Sequence, residues 1–251
     1  MNVQATIMDL EPGAALPRFA SVESLIEALR PIEPVYALFP DKFRAARRRF
    51  DAFSGDTLYA MKANPAPAVL DLVYAAGTRH FDTASLFEIE LVRKRHSDAI
   101  CHFMAPVRLP GAARIAHAEH GVRDFVVDCD CELDKLLAET GNGRDCRIFV
   151  RLATWPGGAV FDLSGKFGAG PDDAAGLLRR VNEAGAEPAL TFHVGSQCVN
   201  PLAYVQAIEL VRCTIALAGV DIAALDIGGG FPARACRSSP RWCCARATGF
   251  I

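Results

Sequence analysis

The feature that most constrains this 251-residue chain is its rhythm. Short apolar, β-rich runs begin at residues 57, 80, 101, 124 and 147, a step of 21 to 23 residues. They cover residues 57–63 (TLYAMKA), 80–85 (HFDTAS), 101–106 (CHFMAP), 124–129 (DFVVDC) and 147–153 (RIFVRLA), and two more follow at 189–195 (ALTFHVG) and 225–231 (LDIGGGF). Helical patterns fill the intervals. Val69, Leu70, Leu72, Val73 and Ala76 make one apolar face, Leu86, Ile89, Leu91 and Val92 a second, and Leu133, Leu136 and Leu137 a third. Gly77, Gly121 and Gly141 fall where helix C-caps belong. Strand, helix and strand at this pitch is the βαβ unit, and near-continuous apolar runs predict parallel strands covered on both faces. The G-x-G-x-x-G signature of a dinucleotide fold does not open the series, which favours an α/β barrel over a Rossmann sheet. Seven barrel strands can be counted; a closed (β/α)8 barrel has eight.

Residues outside the series form two flanks. Residues 35–39 (VYALF) predict an extra strand before the barrel, and residues 41–53 an amphipathic helix with Arg44, Arg47, Arg48 and Arg49 on a solvated face and Phe43, Phe50 and Phe53 at helical spacing. The expected organisation is an N-terminal strand and helix over 1–55, a partial barrel over 56–232, and an unstructured tail over 233–251. Lys plus Arg is 27 and Asp plus Glu is 29, a net charge of −2, which gives no support to nucleic-acid or membrane-surface binding. No apolar stretch is long enough for a membrane span, and residues 1–19 lack a signal-peptide core, so a cytoplasmic protein with reduced thiols is expected. Cys129 and Cys131 lack the spacing of a zinc knuckle and read as ordinary thiols; no metal site is expected. The interval 154–170 is long and carries five glycines, as functional loops often do.

In barrels, catalytic residues gather at the C-terminal ends of strands. Those ends carry Lys62, Asp82 with Ser85, Arg151, His193 with Ser196, and Gly228-Gly229-Gly230. A lysine inside an apolar strand has its ammonium disfavoured, which frees the amine as a nucleophile; a strand-end lysine reaching solvent is the plainer reading. Three glycines after a strand allow backbone N–H groups to approach an anion, or they form a tight turn. His193 reads as a ligand-facing ring or as a satisfied core histidine.

YAMKANP, FDTASLFEIE, FMAPVR, SGKFG, FHVGSQ and LDIGGGF occur in this order between about residues 35 and 232. In that order they resemble the motifs of the fold-type III pyridoxal-phosphate decarboxylases, the ornithine/lysine/diaminopimelate/arginine decarboxylase group. FDTAS with Glu88 is closer to the ornithine/lysine branch. The resemblance implies a pyridoxal 5'-phosphate cofactor, held by Lys62 as the Schiff-base lysine, with Ala60 of the same strand also binding it. It implies His193 stacked on the cofactor ring, Asp82 and Glu88 near the lysine, Arg151 near the phenolic oxygen, and Ser196 with Gly228, Gly229 and Gly230 at the phosphate. Lys62, His193, Asp82 and Glu88 are then the catalytic candidates. Lys166 would lie near a dimer interface. The implied reaction is decarboxylation of a small basic amino acid, with ornithine (to putrescine, in polyamine biosynthesis) the first expectation and lysine or diaminopimelate alternatives. A non-catalytic pyridoxal-phosphate carrier or regulatory homologue is the other reading.

The sequence departs from the family after Pro232. The family has an eighth strand ending in E-P-G-R and then a C-terminal β domain, and E-P-G-R occurs nowhere in this chain. Residues 233–251 hold four arginines, three of the nine cysteines and no acid, and resemble out-of-frame translation. The expectation is an incomplete barrel without the β domain, truncated, inactive and poorly soluble by itself. The homodimer implied for the full-length family is not expected of this chain alone.

Overall fold

The computed structural model describes residues 3–6, 16–154, 159–161 and 165–232. The tail, and with it the expectation for 233–251, lies outside the described residues. The element order is β1 (Val3–Thr6), β2 (Arg18–Phe19), α1 (Val22–Leu29), β3 (Tyr36–Leu38), α2 (Pro40–Arg48), β4 (Leu58–Ala60), a 3-10 turn (Met61–Ala63), α3 (Pro67–Ala75), β5 (His80–Thr83), α4 (Leu86–Arg95), β6 (Ile100–Phe103) and α5 (Ala112–His120). Then come β7 (Asp124–Val127), α6 (Asp130–Glu139), β8 (Arg147–Leu152), β9 (Ala159–Phe161), α7 (Pro171–Glu183), β10 (Glu187–Phe192), β11 (Ser196–Cys198), α8 (Leu202–Ala218) and β12 (Ala224–Asp226).

The seven expected barrel strands form one sheet in the order β12-β10-β8-β7-β6-β5-β4, with parallel pairing throughout the registers observed. This is the α/β architecture of an incomplete (β/α)8-type barrel. Among the described residues, β4 and β12 each have a sheet neighbour on one side only. The apolar runs are covered as parallel strands require: all four residues of β7 are buried, as are Pro188 to Phe192 of β10. The helices bury the predicted faces, with Ile89, Val92, Leu133 and Leu136 wholly inaccessible. α7 shows why its sequence becomes a helix: Pro171 opens it, Asp172 and Asp173 occupy the first turn, and Ala174, Leu177, Leu178 and Val181 share the buried side. Gly121 caps α5 in the left-handed region at φ 68°.

By Cα proximity the chain divides into two compact units, Met1–Asp82 with Glu90–Cys101, and Thr83–Ile89 with His102 onward. In the first, β1 pairs antiparallel with β2 and with β3, and Leu25 packs among Phe19, Leu29, Val35, Ala37 and Phe39. The strand expected at 35–39 is therefore present as β3, and it takes β1 as its partner. β1, β2 and α1 were not read from the sequence, because strands of two to four residues leave little periodicity. In the second unit, α7 and α8 pack on each other.

Several boundaries differ from expectation. The helix expected at 41–53 ends at Arg48, and the chain continues in tighter turns, with the amides of Phe50 and Asp51 donating to the carbonyls of Arg47 and Arg48. The run 57–63 is strand only to Ala60; Lys62 lies in the 3-10 turn. The run 225–231 is strand only to Asp226, because Gly228 and Gly230 have φ of 65° and 98°, which a strand cannot continue. Ser196 is not at the end of the preceding strand but within β11, paired to Phe161 of β9. Among the described residues, no helix is long and apolar enough to cross a membrane.

Candidate active site

In the second unit, the candidates at the ends of β10 and β12 are locked together by backbone contact. A Cβ on Gly228 would stand 2.3 Å from the Phe192 carbonyl oxygen, and one on Gly230 would stand 2.1 Å from that of Gly195. Only glycine permits both the close approach and the positive φ. Asp226 clamps the turn. It accepts from the Thr191 hydroxyl at 2.8 Å through one carboxylate oxygen and from the Gly228 amide at 2.8 Å through the other. The Gly230 carbonyl accepts from the Cys198 amide at 2.7 Å, and the Gly229 carbonyl from the Tyr204 hydroxyl at 3.0 Å. The Tyr204 ring stacks on Phe231 with centroids 5.3 Å apart.

His193 belongs to the same cluster. Its Nδ1 accepts from the Gly195 amide at 2.9 Å, which fixes a ring proton on Nε2. Nε2 faces Gly229, 3.7 Å from where a Cβ would be. The His193 carbonyl accepts from the Thr154 hydroxyl at 3.0 Å. Of the three glycine amides, that of Gly228 donates to the Asp226 carboxylate. The amides of Gly229 and Gly230 make no hydrogen bond among the described residues. Two free N–H groups at a strand end, with a half-buried Ser196 hydroxyl on β11, fit a phosphate group.

Arg151, on β8, holds its guanidinium carbon 5.2 Å from the Phe167 ring centroid. Phe167 belongs to a cleft of about 330 Å³ lined by Asp128, Cys129, Gly165, Lys166, Phe167 and Gly168. Asp128 tethers this wall by accepting from the Gly168 amide at 3.0 Å. Glu88 is engaged locally: it accepts from the Ala84 amide at 2.6 Å, while the Ser85 hydroxyl accepts from the Glu88 amide at 3.3 Å. That is a capping arrangement for the start of α4.

In the first unit, Ala60 and Asp82 are register partners across β4 and β5, and Lys62 follows two residues after Ala60. Lys62 is exposed, as the plainer of its two readings, a lysine reaching solvent, requires.

Three residues escaped the sequence reading. Asp226 and Tyr204 secure the glycine turn from β12 and α8. Arg108, in the FMAPVR motif, is buried and donates to the carbonyls of Ala105 and Val126 at 2.9 and 2.5 Å; burial pushes its guanidinium below the usual value. The aspartate before the glycine run was the one available signal for Asp226; a tyrosine in a helix carries none. Elsewhere, His117, Asp145 and Cys146 bring potential metal-ligand atoms within 4.8 Å of one another. Arg123 already holds Asp145 at 2.8 Å, and burial pushes the Cys146 thiol up to about 12, so this cluster reads as an ion-pair network.

Residues 36–242 match the family profile described as pyridoxal-dependent decarboxylase, pyridoxal binding domain. Among curated proteins, a lysine/ornithine decarboxylase of Selenomonas ruminantium is 38% identical over 179 residues, covering 69% of this chain and 44% of that protein. Mouse (Mus musculus) ornithine decarboxylase is 36% identical over 179 residues, 69% of this chain and 38% of that protein. Among solved structures, a lysine/ornithine decarboxylase from Vibrio vulnificus, complexed with putrescine, aligns with a TM-score of 0.70 at 33% identity, covering 85% of this chain and 58% of that one. This chain thus spans less than half the length of these curated relatives.

Proposed function

This chain belongs to the pyridoxal-dependent decarboxylase family, and on that premise we propose that it is the pyridoxal-phosphate-holding part of an ornithine- or lysine-type decarboxylase. The cofactor is pyridoxal 5'-phosphate, the group for which the matched domain is named. The observation that carries the reading is the cluster at the ends of β10 and β12: two unbonded glycine amides beside a histidine whose tautomer is set by a backbone amide.

The residue roles follow from the chemistry of each group. The amides of Gly229 and Gly230 and the Ser196 hydroxyl receive phosphate oxygens. His193 offers a flat ring, oriented through Nδ1, for stacking on the cofactor ring. The Lys62 amine, exposed at the end of β4, is the group that holds the cofactor's aldehyde carbon. Asp82 and Arg151 provide charges for the polar edge of the ring, while Glu88 keeps a capping role. When bound, the cofactor supplies an electron sink for the charge left by loss of CO2. Residues 56–232 are the segment proposed to hold it. A basic amino acid is the proposed substrate, with ornithine preferred on the FDTAS motif. A homodimer is proposed for the full-length protein, with Lys166 near its interface, and a cytoplasmic location. The present chain is proposed to hold cofactor without robust turnover, since β12 lacks a second sheet neighbour among the described residues.

The test is absorbance near about 420 nm, where protein-bound pyridoxal absorbs, together with CO2 release from ornithine and lysine. The purified chain is expected to take up one cofactor with this band. Lys62→Ala is expected to abolish the band and to change stability by less than about 0.5 kcal/mol, as for an exposed side chain. An unchanged band in that variant defeats the assignment of Lys62, and robust CO2 release by the chain alone defeats the proposed inactivity.

A further inference from the structure

Of the six described cysteines, Cys129 and Cys131 alone stand together. Their sulfur atoms are 3.2 Å apart. Cys101, Cys146 and Cys198 are buried, and Cys213 is exposed without a neighbouring described thiol. Burial pushes the thiols of Cys101 and Cys146 up to about 12, which makes them inert at neutral pH. The pair sits where β7 gives way to α6. Cys129 is the N-cap of α6, in extended backbone at φ −153° and ψ 162°, and Cys131 is the second residue of the helix. The extended cap folds one side chain back over the first turn, and so two thiols separated by a single residue meet. Cys131 is exposed and Cys129 half-buried. This is an accessible attacking thiol with a resolving thiol behind it.

The position gives the pair a consequence. Cys129 lines the same cleft as Lys166, and its chain neighbour Asp128 holds the Gly168 amide that tethers the cleft's glycine-rich wall. A covalent change at Cys129 therefore acts on the residue adjoining that tether.

We propose that Cys129 and Cys131 are a redox-active dithiol that a small-molecule disulfide of the glutathione class converts to an intrachain disulfide. In the first step the Cys131 thiolate attacks one sulfur of the small disulfide. Its S–S bond breaks, one small thiolate leaves and takes up the proton from Cys131, and a mixed disulfide remains on Cys131. In the second step Cys129 loses its proton and attacks the Cys131 sulfur, expelling the second small thiol. Two protein thiols are oxidised, one small disulfide is reduced to two thiols, and one protein S–S bond is formed. Sulfur atoms must close from contact to bond length within a ring spanning one intervening residue, and strained disulfides of this kind are the readily reduced ones. The inference stands on the thiol geometry and not on the decarboxylase reading.

The test uses the whole chain in glutathione redox buffers, quenched by alkylation and cleaved with trypsin. Cleavage after Arg123 and Lys135 isolates residues 124–135 (DFVVDCDCELDK), which contain both thiols and no other cysteine. This peptide is expected to appear lighter by two hydrogens. Its oxidised-to-reduced ratio is expected to rise about tenfold for each tenfold rise in the ratio of glutathione disulfide to squared glutathione. In Cys129→Ser the reaction is expected to stop at a glutathione adduct on Cys131. A peptide that remains dithiol in excess glutathione disulfide, that carries two glutathiones, or that is cross-linked to another cysteine overturns the proposal.

Discussion

The two compact units hold their candidate cofactor-binding residues in opposite ways. In the second, His193 and the glycine run are fixed by backbone: glycine Cβ positions lie within about 2.3 Å of facing carbonyl oxygens, and one aspartate bridges Thr191 and Gly228. In the first, Lys62 lies exposed in a short 3-10 turn after a three-residue strand. The difference separates two demands. An anion subsite has to be preorganised, because its donors are backbone amides that cannot be aimed one at a time. A lysine that must bond a cofactor needs reach, and a long side chain on a turn supplies it.

The sharpest way to break this comparison is Gly230→Ala. The new methyl would meet the Gly195 carbonyl and the residue would sit at φ 98°, so a loss of about 2–4 kcal/mol is expected in urea unfolding. A loss under about 1 kcal/mol would mean that the turn yields, and the claim of a rigid subsite would fall. The first unit should be more tolerant. Ser21 caps α1, exchanging hydrogen bonds with Ser24, and Ser21→Ala is expected to cost about 1 kcal/mol by the same measurement. A larger cost would show that the small β1–β2–β3 sheet depends on that helix end.

The smallest expected effect concerns pH. Burial holds the His96 ring below its ordinary value of 6.5, partly offset by Asp71, whose carboxylate lies 3.1 Å from Nε2, and by Asp98; the Arg95 guanidinium adds to the lowering. The folded state therefore resists a proton that the unfolded chain accepts. Stability from this source is complete above about pH 6.5 and declines as pH falls toward and through the lowered folded value. His96→Phe keeps a ring over Tyr74, against which His96 stacks at 3.9 Å, and is expected to flatten the stability curve between about pH 5 and 7. An unchanged slope would assign the acid loss to another group.

Much of the fold was legible before any coordinates. The 21-to-23-residue beat placed the first five sheet strands, apolar runs at 189–195 and 225–231 placed the other two, and the apolar faces at Ile89, Val92, Leu133 and Leu136 proved to be core. The strand-end rule pointed to His193 and the glycine run, which the structure brings together at the ends of β10 and β12. It placed Lys62 in the strand, when it lies in the 3-10 turn that follows, and read Ser196 as a strand end when it lies inside β11. The β9–β11 pairing was invisible because it joins three-residue strands 35 residues apart.

By itself the sequence determined which segments pair with water and which with each other, since side-chain periodicity is a local property that burial must respect. It also determined where glycine is obligatory, although not against which atoms. The three-dimensional structure decided which two of three neighbouring amides remain free for a ligand, which nitrogen of His193 carries the proton, and that two cysteines separated by one residue touch. Each of those depends on the turn the backbone takes between residues two apart, within a few tenths of an ångström, and no one-dimensional pattern carries that information.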